Sequence, residues 1–285
     1  MSPNAPHGGE GRMRPDLIVS AAQFWAGTDV DKNLETISSM ARRASERGSH
    51  LLVLPEASMY SWNSPVEDLA EAARRHSIRF FDTVARIARE ENLAIIAPGY
   101  APSDDGRPWN RMVAFDSGGT PVAVYDKVHL YDAYSYLESN TVRPGQAGDD
   151  GSEFGLFDIE GWRIGMLNCY DIRFPEMSRA LVDGGADILA IGSAWVVGHR
   201  KEFHFKTLAR ARAIENTVFL AAATQHGEFS IGGSALYGPL GDTLASAELD
   251  RDLITAKMRD EVLSEARRLL PVLENRRYSW SPTAR

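Results

Sequence analysis

The stretch Trp162-Arg163-Ile164-Gly165-Met166-Leu167-Asn168-Cys169-Tyr170-Asp171-Ile172-Arg173-Phe174-Pro175-Glu176 contains the only cysteine of the chain. An apolar run ends at Cys169. Pro175 then enters the first turn of an expected helix, where its missing N–H costs nothing. The spacing therefore predicts a strand running into a helix, with the thiol near the positive end of the helix dipole, which favours thiolate over thiol. A lone thiol is otherwise a small buried hydrophobe. The junction reads as a position for a nucleophile.

Outward from this junction, strand-like and helix-like segments alternate. Upstream, Leu17–Gln23 and Leu51–Leu54 read as buried strands, with a helix over Val30–Arg47 that stops at Gly48. Pro65–Glu91 has the spacing of a long amphipathic outer helix. Leu93–Gly99, Arg111–Phe115 and Pro121–Tyr125 read as strands, the last two joined by the turn Ser117-Gly118-Gly119-Thr120. Lys127–Gly151 is long, polar and aromatic, which suits a structured site loop. Phe154–Ile159 and Arg163–Asn168 form a hairpin around Gly161. Beyond Cys169 come a helix Pro175–Asp183, a strand Asp187–Ile191, a helix Lys201–Asn216 and a strand Val218–Ala223. Strands near Ser230–Ala235 and Leu253–Lys257, a helix Glu261–Leu270 and an extended tail complete the chain. Mixed hairpins and crossovers predict an α/β protein of two sheets packed face to face, with helices outside. No Pro/Ser linker divides it, so residues 15–285 read as one domain after an N-terminal tail, residues 1–14.

With 285 residues, 44% of them hydrophobic, the chain can bury a large core. A formal charge of −8 and a pI near 5.4 argue against nucleic acid and anionic membrane partners. One cysteine permits no internal disulfide, in keeping with a reducing cytoplasm. Met1–Arg12 is polar, lacks the apolar core of a signal peptide and reads as disordered, with Met13 as an alternative start. No apolar run reaches the roughly 18 residues of a membrane span.

Glu56, Lys127 and Cys169 each lie just past an expected buried strand, and strand ends opening on one face are where α/β proteins assemble sites. Singly, Glu56 reads as a loop acid and Lys127 as a solvated amine. Together they supply what thiol chemistry needs. A carboxylate accepts the thiol proton and returns it to a leaving amine, and an ammonium, with a backbone N–H after the nucleophile, stabilises an oxyanion.

The segments Leu54-Pro55-Glu56-Ala57, Tyr125-Asp126-Lys127-Val128-His129-Leu130-Tyr131 and Asn168-Cys169-Tyr170-Asp171-Ile172-Arg173-Phe174-Pro175-Glu176 resemble, in order, the Glu–Lys–Cys signatures of the nitrilase (carbon–nitrogen hydrolase) superfamily. The resemblance runs from about Leu17 to Tyr278. It includes Glu138 before Arg143-Pro144-Gly145, the helix Ala209–Asn216 and the tail Pro271–Tyr278. It implies a four-layer α-β-β-α sandwich that pairs with a second copy as a homodimer or larger assembly. Helices Pro175–Asp183 and Lys201–Asn216 would face the partner, and Pro271–Tyr278 would reach it. It further implies Glu56 as general base and acid, Lys127 as electrostatic stabiliser, Cys169 as nucleophile, Glu138 as a substrate-positioning acid and the Tyr170 N–H as an oxyanion donor, with no cofactor and no metal.

The form Cys-Tyr-Asp-x-Arg-Phe-Pro-Glu is similar to the ω-amidase and deaminated glutathione amidase branch, which implies a small carboxylate-bearing amide as substrate. Tyr170, where nitrilases carry tryptophan, argues for amide over nitrile. Arg173 is a candidate for the carboxylate, or else an ion-pair partner of Glu176 or Asp171. Tyr60, Trp62, Tyr131, Tyr134, Tyr136 and Trp195 are candidate pocket walls. The chain departs from the branch at Ala194–His199, at Gly232-Gly233-Ser234 and at Tyr237–Gly241, all expected at the pocket rim. Carbamoylase, aliphatic amidase, nitrilase and amine acyltransferase activities use the same three groups and stay open. Two readings from other classes are a zinc hydrolase built on His199, Glu202 and His204, whose histidines lack the four-residue spacing that aligns ligands on a helix, and a non-catalytic assembly subunit.

Overall fold

The computed structural model describes residues 13–146, 155–248 and 250–278. Strands whose two faces are both covered read as continuous apolar runs, and β1 (Leu17–Gln23) and β2 (Leu51–Val53) are of this kind. Leu51 and Val53 turn to one core, with Val19 and Ala21 beside them. Leu52 and Leu54 turn to another, with Ala22. The first core lies between two sheets and continues to the outer helices of the second sheet. The second lies under α1 (Val30–Glu46) and α2 (Val66–Glu90).

The first sheet has the order β14-β1-β2-β3-β4-β5, with β3 Ala94–Ala101, β4 Trp109–Phe115, β5 Pro121–Asp126 and β14 Asp252–Met258. The second has the order β13-β12-β11-β10-β9-β8, with β8 Leu156–Ile159, β9 Trp162–Asn168, β10 Ile188–Ser193, β11 Phe219–Thr224, β12 Ala235–Tyr237 and β13 Thr243–Ser246. Each sheet holds three parallel strands, β1-β2-β3 and β9-β10-β11, flanked by antiparallel ones. Helices α3 (Pro175–Asp183) and α4 (Lys201–Asn216) cover the second sheet, and α5 (Asp260–Leu269) follows β14. This is the α-β-β-α sandwich expected from the sequence.

Three segments differ from the sequence reading. The strand expected near Ser230–Ala235 is interrupted by Gly232 and Gly233, both at positive φ, so Ser230 and Ile231 make only isolated bridges and β12 begins at Ala235. β13 was not expected, because Thr243–Ser246 is a mostly exposed edge strand without alternation. Lys127–Gly151 contains the small ribbon β6 (Asp132–Ala133) and β7 (Tyr136–Leu137) and a 3-10 turn over Glu138–Asn140; its residues from 147 onward, and Phe154 of the expected hairpin, lie outside the described residues. Residues 1–12 of the expected tail also lie outside them. Arg14, near its end, is held by Asp260 at 2.8 Å and by Asp187. Among the described residues no helix is long and apolar enough to cross a membrane.

Candidate active site

Where β2 and β10 meet across the sheets, a Cβ on Gly192 would lie 2.9 Å from the Leu54 carbonyl oxygen and 3.1 Å from the Glu56 nitrogen. Only glycine permits this approach, and it brings the end of β2 against the ends of β9 and β10. Glu56 follows β2 and turns inward ahead of Ala57, which has φ 56°. Cys169 follows β9, and Ser193 ends β10. Lys127 follows β5, its N–H donating to the Asn110 carbonyl on β4 at 2.9 Å. Its own carbonyl accepts from Gly145 at 2.8 Å, and a Cβ on Gly145 would overlap the Asp126 carbonyl oxygen. The Arg143-Pro144-Gly145 motif thus braces Lys127.

Cys169 opens a 3-10 turn, Cys169–Arg173, at φ 47°. A non-glycine residue held there stores about 1–3 kcal/mol of backbone strain. Buried Asp171 over-determines the conformation: it accepts from the Asn168 N–H, the Tyr125 hydroxyl and His129 Nδ1, each at 2.8 Å. His129 in turn stacks on Phe174 with ring centroids 3.7 Å apart. Buried Arg212 on α4 donates from Nε to the Ile172 carbonyl at 2.9 Å and pairs with Glu215 at 2.6 Å, which accounts for the Ala209–Asn216 motif.

The four expected site residues converge in one pocket with about 490 Å³ of open space. Lys127 Nζ donates to Glu56 Oε1 at 2.8 Å and to Glu138 Oε2 at 2.8 Å. Glu138 Oε2 also accepts from the Tyr131 N–H at 2.6 Å. Glu56 Oε2 accepts from the Ala194 N–H at 2.8 Å. Asn110 Nδ2 donates to Glu56 at 2.9 Å, and Ser193 Oγ donates to Cys169 Sγ at 3.2 Å. Gln225 Nε2 holds the Glu56 carbonyl at 2.7 Å.

Charge follows from these contacts. Burial works against ionising Lys127, but Glu138 and Glu56 outweigh it and hold the ammonium protonated well above the usual lysine range. Burial raises Glu56, yet Lys127 and the hydrogen bonds bring it below the usual carboxylate value. Glu138 stays above that value, through burial and the charge of Glu56. The thiol departs from the sequence expectation. Burial, then the Glu56 carboxylate, push Cys169 well above the ordinary cysteine range, with Lys127 and Ser193 offsetting only part. The helix dipole does not prevail, because only a short 3-10 turn follows Cys169 and α3 starts at Pro175. At rest the sulfur keeps its proton, and its hydrogen-bond partner is the Ser193 hydroxyl at 3.2 Å.

Trp62, Tyr131, Tyr136 and Trp195 line the pocket as expected, and Tyr134 lines the vestibule outside it. Tyr60 does not line it, packing instead on the core beneath α1 and α2. Of the three departures from the branch, Ala194, Trp195 and Val196 line the pocket and residues 232–234 and 237–241 do not. Arg173 makes neither expected ion pair. Its guanidinium stacks on Trp195 at 4.7 Å, and Asp171 is engaged by other donors. Glu202 pairs with Lys206 at 2.5 Å, and among the described residues no group of three or more His, Cys, Asp or Glu is arranged to hold a metal ion. Sequence reasoning missed Asn110, Ser193 and Lys201. A polar residue at the end of a buried strand was the available signal for Ser193. For Asn110 it was the strand position opposite Lys127.

A carbon–nitrogen hydrolase family model matches residues 18–268, so the chain belongs to the carbon–nitrogen hydrolase family of the nitrilase superfamily, hydrolases that act on C–N bonds. The deaminated glutathione amidase of Escherichia coli O157:H7 is 36% identical over 264 residues, which are 92% of this chain and 98% of that one. The omega-amidase NIT2 of Xenopus tropicalis is 26% identical over 272 residues, 91% and 95% of the two chains. Among solved structures, a glutamate-to-glutamine variant of the amidase from Nesterenkonia sp. AN1, with the acetamide moiety of fluoroacetamide added covalently at its active-site cysteine, has a TM-score of 0.79 and 26% identity, covering 97% of each chain.

Proposed function

We propose that this protein is an amidase that hydrolyses a small carboxylate-bearing amide, of the kind 2-oxoglutaramate represents, to an acid and ammonia through a thioester on Cys169. The observation that carries the reading is one buried carboxylate, Glu56, hydrogen-bonded to the Lys127 ammonium and lining the same pocket as the Cys169 thiol. A thiol held above its ordinary pKa needs a base at the moment of attack, and Glu56 is that base.

Sulfur attacks the amide carbonyl as its proton passes to Glu56. The oxyanion is stabilised by the Lys127 ammonium and by the N–H of Tyr170, since the first N–H groups of the 3-10 turn find no partner within it. The C–N bond breaks as Glu56 returns the proton to the departing ammonia. Water, deprotonated by Glu56, then attacks the thioester; the C–S bond breaks and the sulfur recovers a proton. Glu138 keeps Lys127 aimed at the reacting carbonyl. The names of the relatives, deaminated glutathione amidase and omega-amidase, support an amide bearing a carboxylate. The same reading has the protein work in the cytoplasm as a homodimer or larger assembly, paired through α3 and α4, where Phe203 and Ile214 are exposed. A stable monomer in light scattering at micromolar concentration contradicts that assembly.

Hydrolysis is measured on 2-oxoglutaramate, 2-oxosuccinamate, deaminated glutathione, aliphatic amides, carbamoyl amino acids and nitriles, by release of ammonia or, from deaminated glutathione, of the amine cysteinylglycine, with wild type and Cys169→Ala. The expected result is that the first three lead and that Cys169→Ala is inactive on all. A nitrile that leads, or activity retained without the thiol, overturns the reading.

A further inference from the structure

Lys201 opens α4 and is 5% exposed, yet among the described residues it has no carboxylate partner. Its Nζ is hydrogen-bonded to the Tyr131 hydroxyl and packed on the ring of Tyr134 at 3.8 Å and of Tyr131 at 4.6 Å. Its carbonyl accepts from Trp195 Nε1 at 3.0 Å, which ties it to the pocket wall. A buried cation without an acid is costly, and one in the first turn of a helix also opposes the helix dipole. Arg173 adds to the excess. It stacks on the same Trp195, and its Nε and Nη2 are buried with no hydrogen-bond partner. Burial, then the charge of Arg173, lower the pKa of Lys201. The contrast with Lys127, which two glutamates neutralise in the same pocket, is sharp.

We infer that Lys201, backed by Arg173 behind Trp195, is the specificity-determining residue of the pocket and binds the remote carboxylate of the substrate. An anionic substrate is then oriented by the site as a whole. Glu56 and Glu138 repel its carboxylate, Lys201 and Arg173 attract it, and the amide end is left facing Cys169. The rings of Tyr131 and Tyr134 packed beside Lys201 lower the local dielectric, so the contact gains strength. This inference rests on the amidase reading for the identity of the substrate, but the residue's role is separable from turnover.

The test compares glutaramate with pentanamide, which has the same chain length and amide but no carboxylate. A charge-assisted hydrogen bond is worth about 1.5–3 kcal/mol, so Lys201→Met should lower the glutaramate-to-pentanamide ratio of kcat/KM by roughly 10- to 100-fold, through KM for glutaramate, and Lys201→Arg should restore most of it. A ratio that stays within about threefold of wild type overturns the inference, because a purely structural lysine would lower both substrates alike. Calorimetry of glutaramate binding to Cys169→Ala and to Cys169→Ala/Lys201→Met provides the arm independent of catalysis, with a loss of about 10-fold or more expected in the double variant. If wild type turns over neither amide, the substrate panel above decides the reaction and the binding arm alone decides Lys201. Equal binding by the two proteins rejects it.

Discussion

Replacing Glu56 by glutamine keeps the side-chain volume and removes both the proton acceptor and the charge beside Cys169. The two losses act in opposite directions on the thiol. Removing the carboxylate charge lowers the thiol pKa, but burial is the larger cause of its elevation and persists in the variant. In the variant, burial still opposes ionisation of the thiol, which has lost its proton acceptor. With Glu56 as the base proposed above, the proton in wild type passes to it and attack does not wait for ionisation into solvent. Alkylation of Cys169 by iodoacetamide at pH 7 is thus expected to slow about 100-fold or more in Glu56→Gln, the size of a general-base contribution, and to climb about tenfold per pH unit below the thiol pKa, where the wild-type rate is level. The assay is intact-protein mass against time from pH 6 to 9, with near-ultraviolet circular dichroism to verify the fold. Labelling of Glu56→Gln at the wild-type rate with the same pH profile would refute the role given to Glu56. So would a wild-type rate that itself climbs tenfold per unit.

Lys127→Met leaves two buried carboxylates without their cation and is expected to cost about 3–5 kcal/mol in urea unfolding at pH 8. In wild type the depressed Glu56 contributes stability that is present above its unfolded pKa and lost as pH falls through its folded value. Without Lys127 that sign reverses, so the deficit should shrink at pH 5; a deficit that grows at pH 5 contradicts this. Ser193→Ala removes the donor to Sγ, about 1 kcal/mol, and should lower kcat/KM roughly fivefold with the unfolding midpoint nearly unchanged. Asn110→Leu strips a hydrogen bond from Glu56 and leaves Asn168 Nδ2 without its acceptor, so kcat should fall about 10-fold or more and stability by about 1–3 kcal/mol. Full activity in that variant would exclude Asn110 from holding Glu56.

Strands β1, β2, β9, β10 and β11 were legible because both faces of each sheet are covered, and buried runs are continuously apolar. Edge strand β13 was not, because an exposed edge leaves no hydrophobic pattern. Glu56, Lys127 and Cys169 were legible as three polar residues at strand ends, and Glu138 through the resemblance. The protonation state of Cys169 was misread, since the sequence displays the strand-to-helix junction but neither the short turn that separates sulfur from α3 nor the carboxylate across the sheet interface. Lys201 was hidden for a similar reason. Lysine at the head of an amphipathic helix reads as solvated, and only the fold of β6, β7 and the 3-10 turn around it buries its ammonium among tyrosines. Gly192, which sets how closely the two halves of the site approach, carries no sequence signal of its own.

The proposed reaction requires a covalent intermediate on Cys169 formed with Glu56 as base. Its most direct test is peptide mapping of the enzyme quenched within milliseconds during turnover of glutaramate. A glutaryl mass is expected on the peptide that contains Cys169, accumulating together with a burst of ammonia before the steady state. An acyl group mapped to any other residue contradicts it.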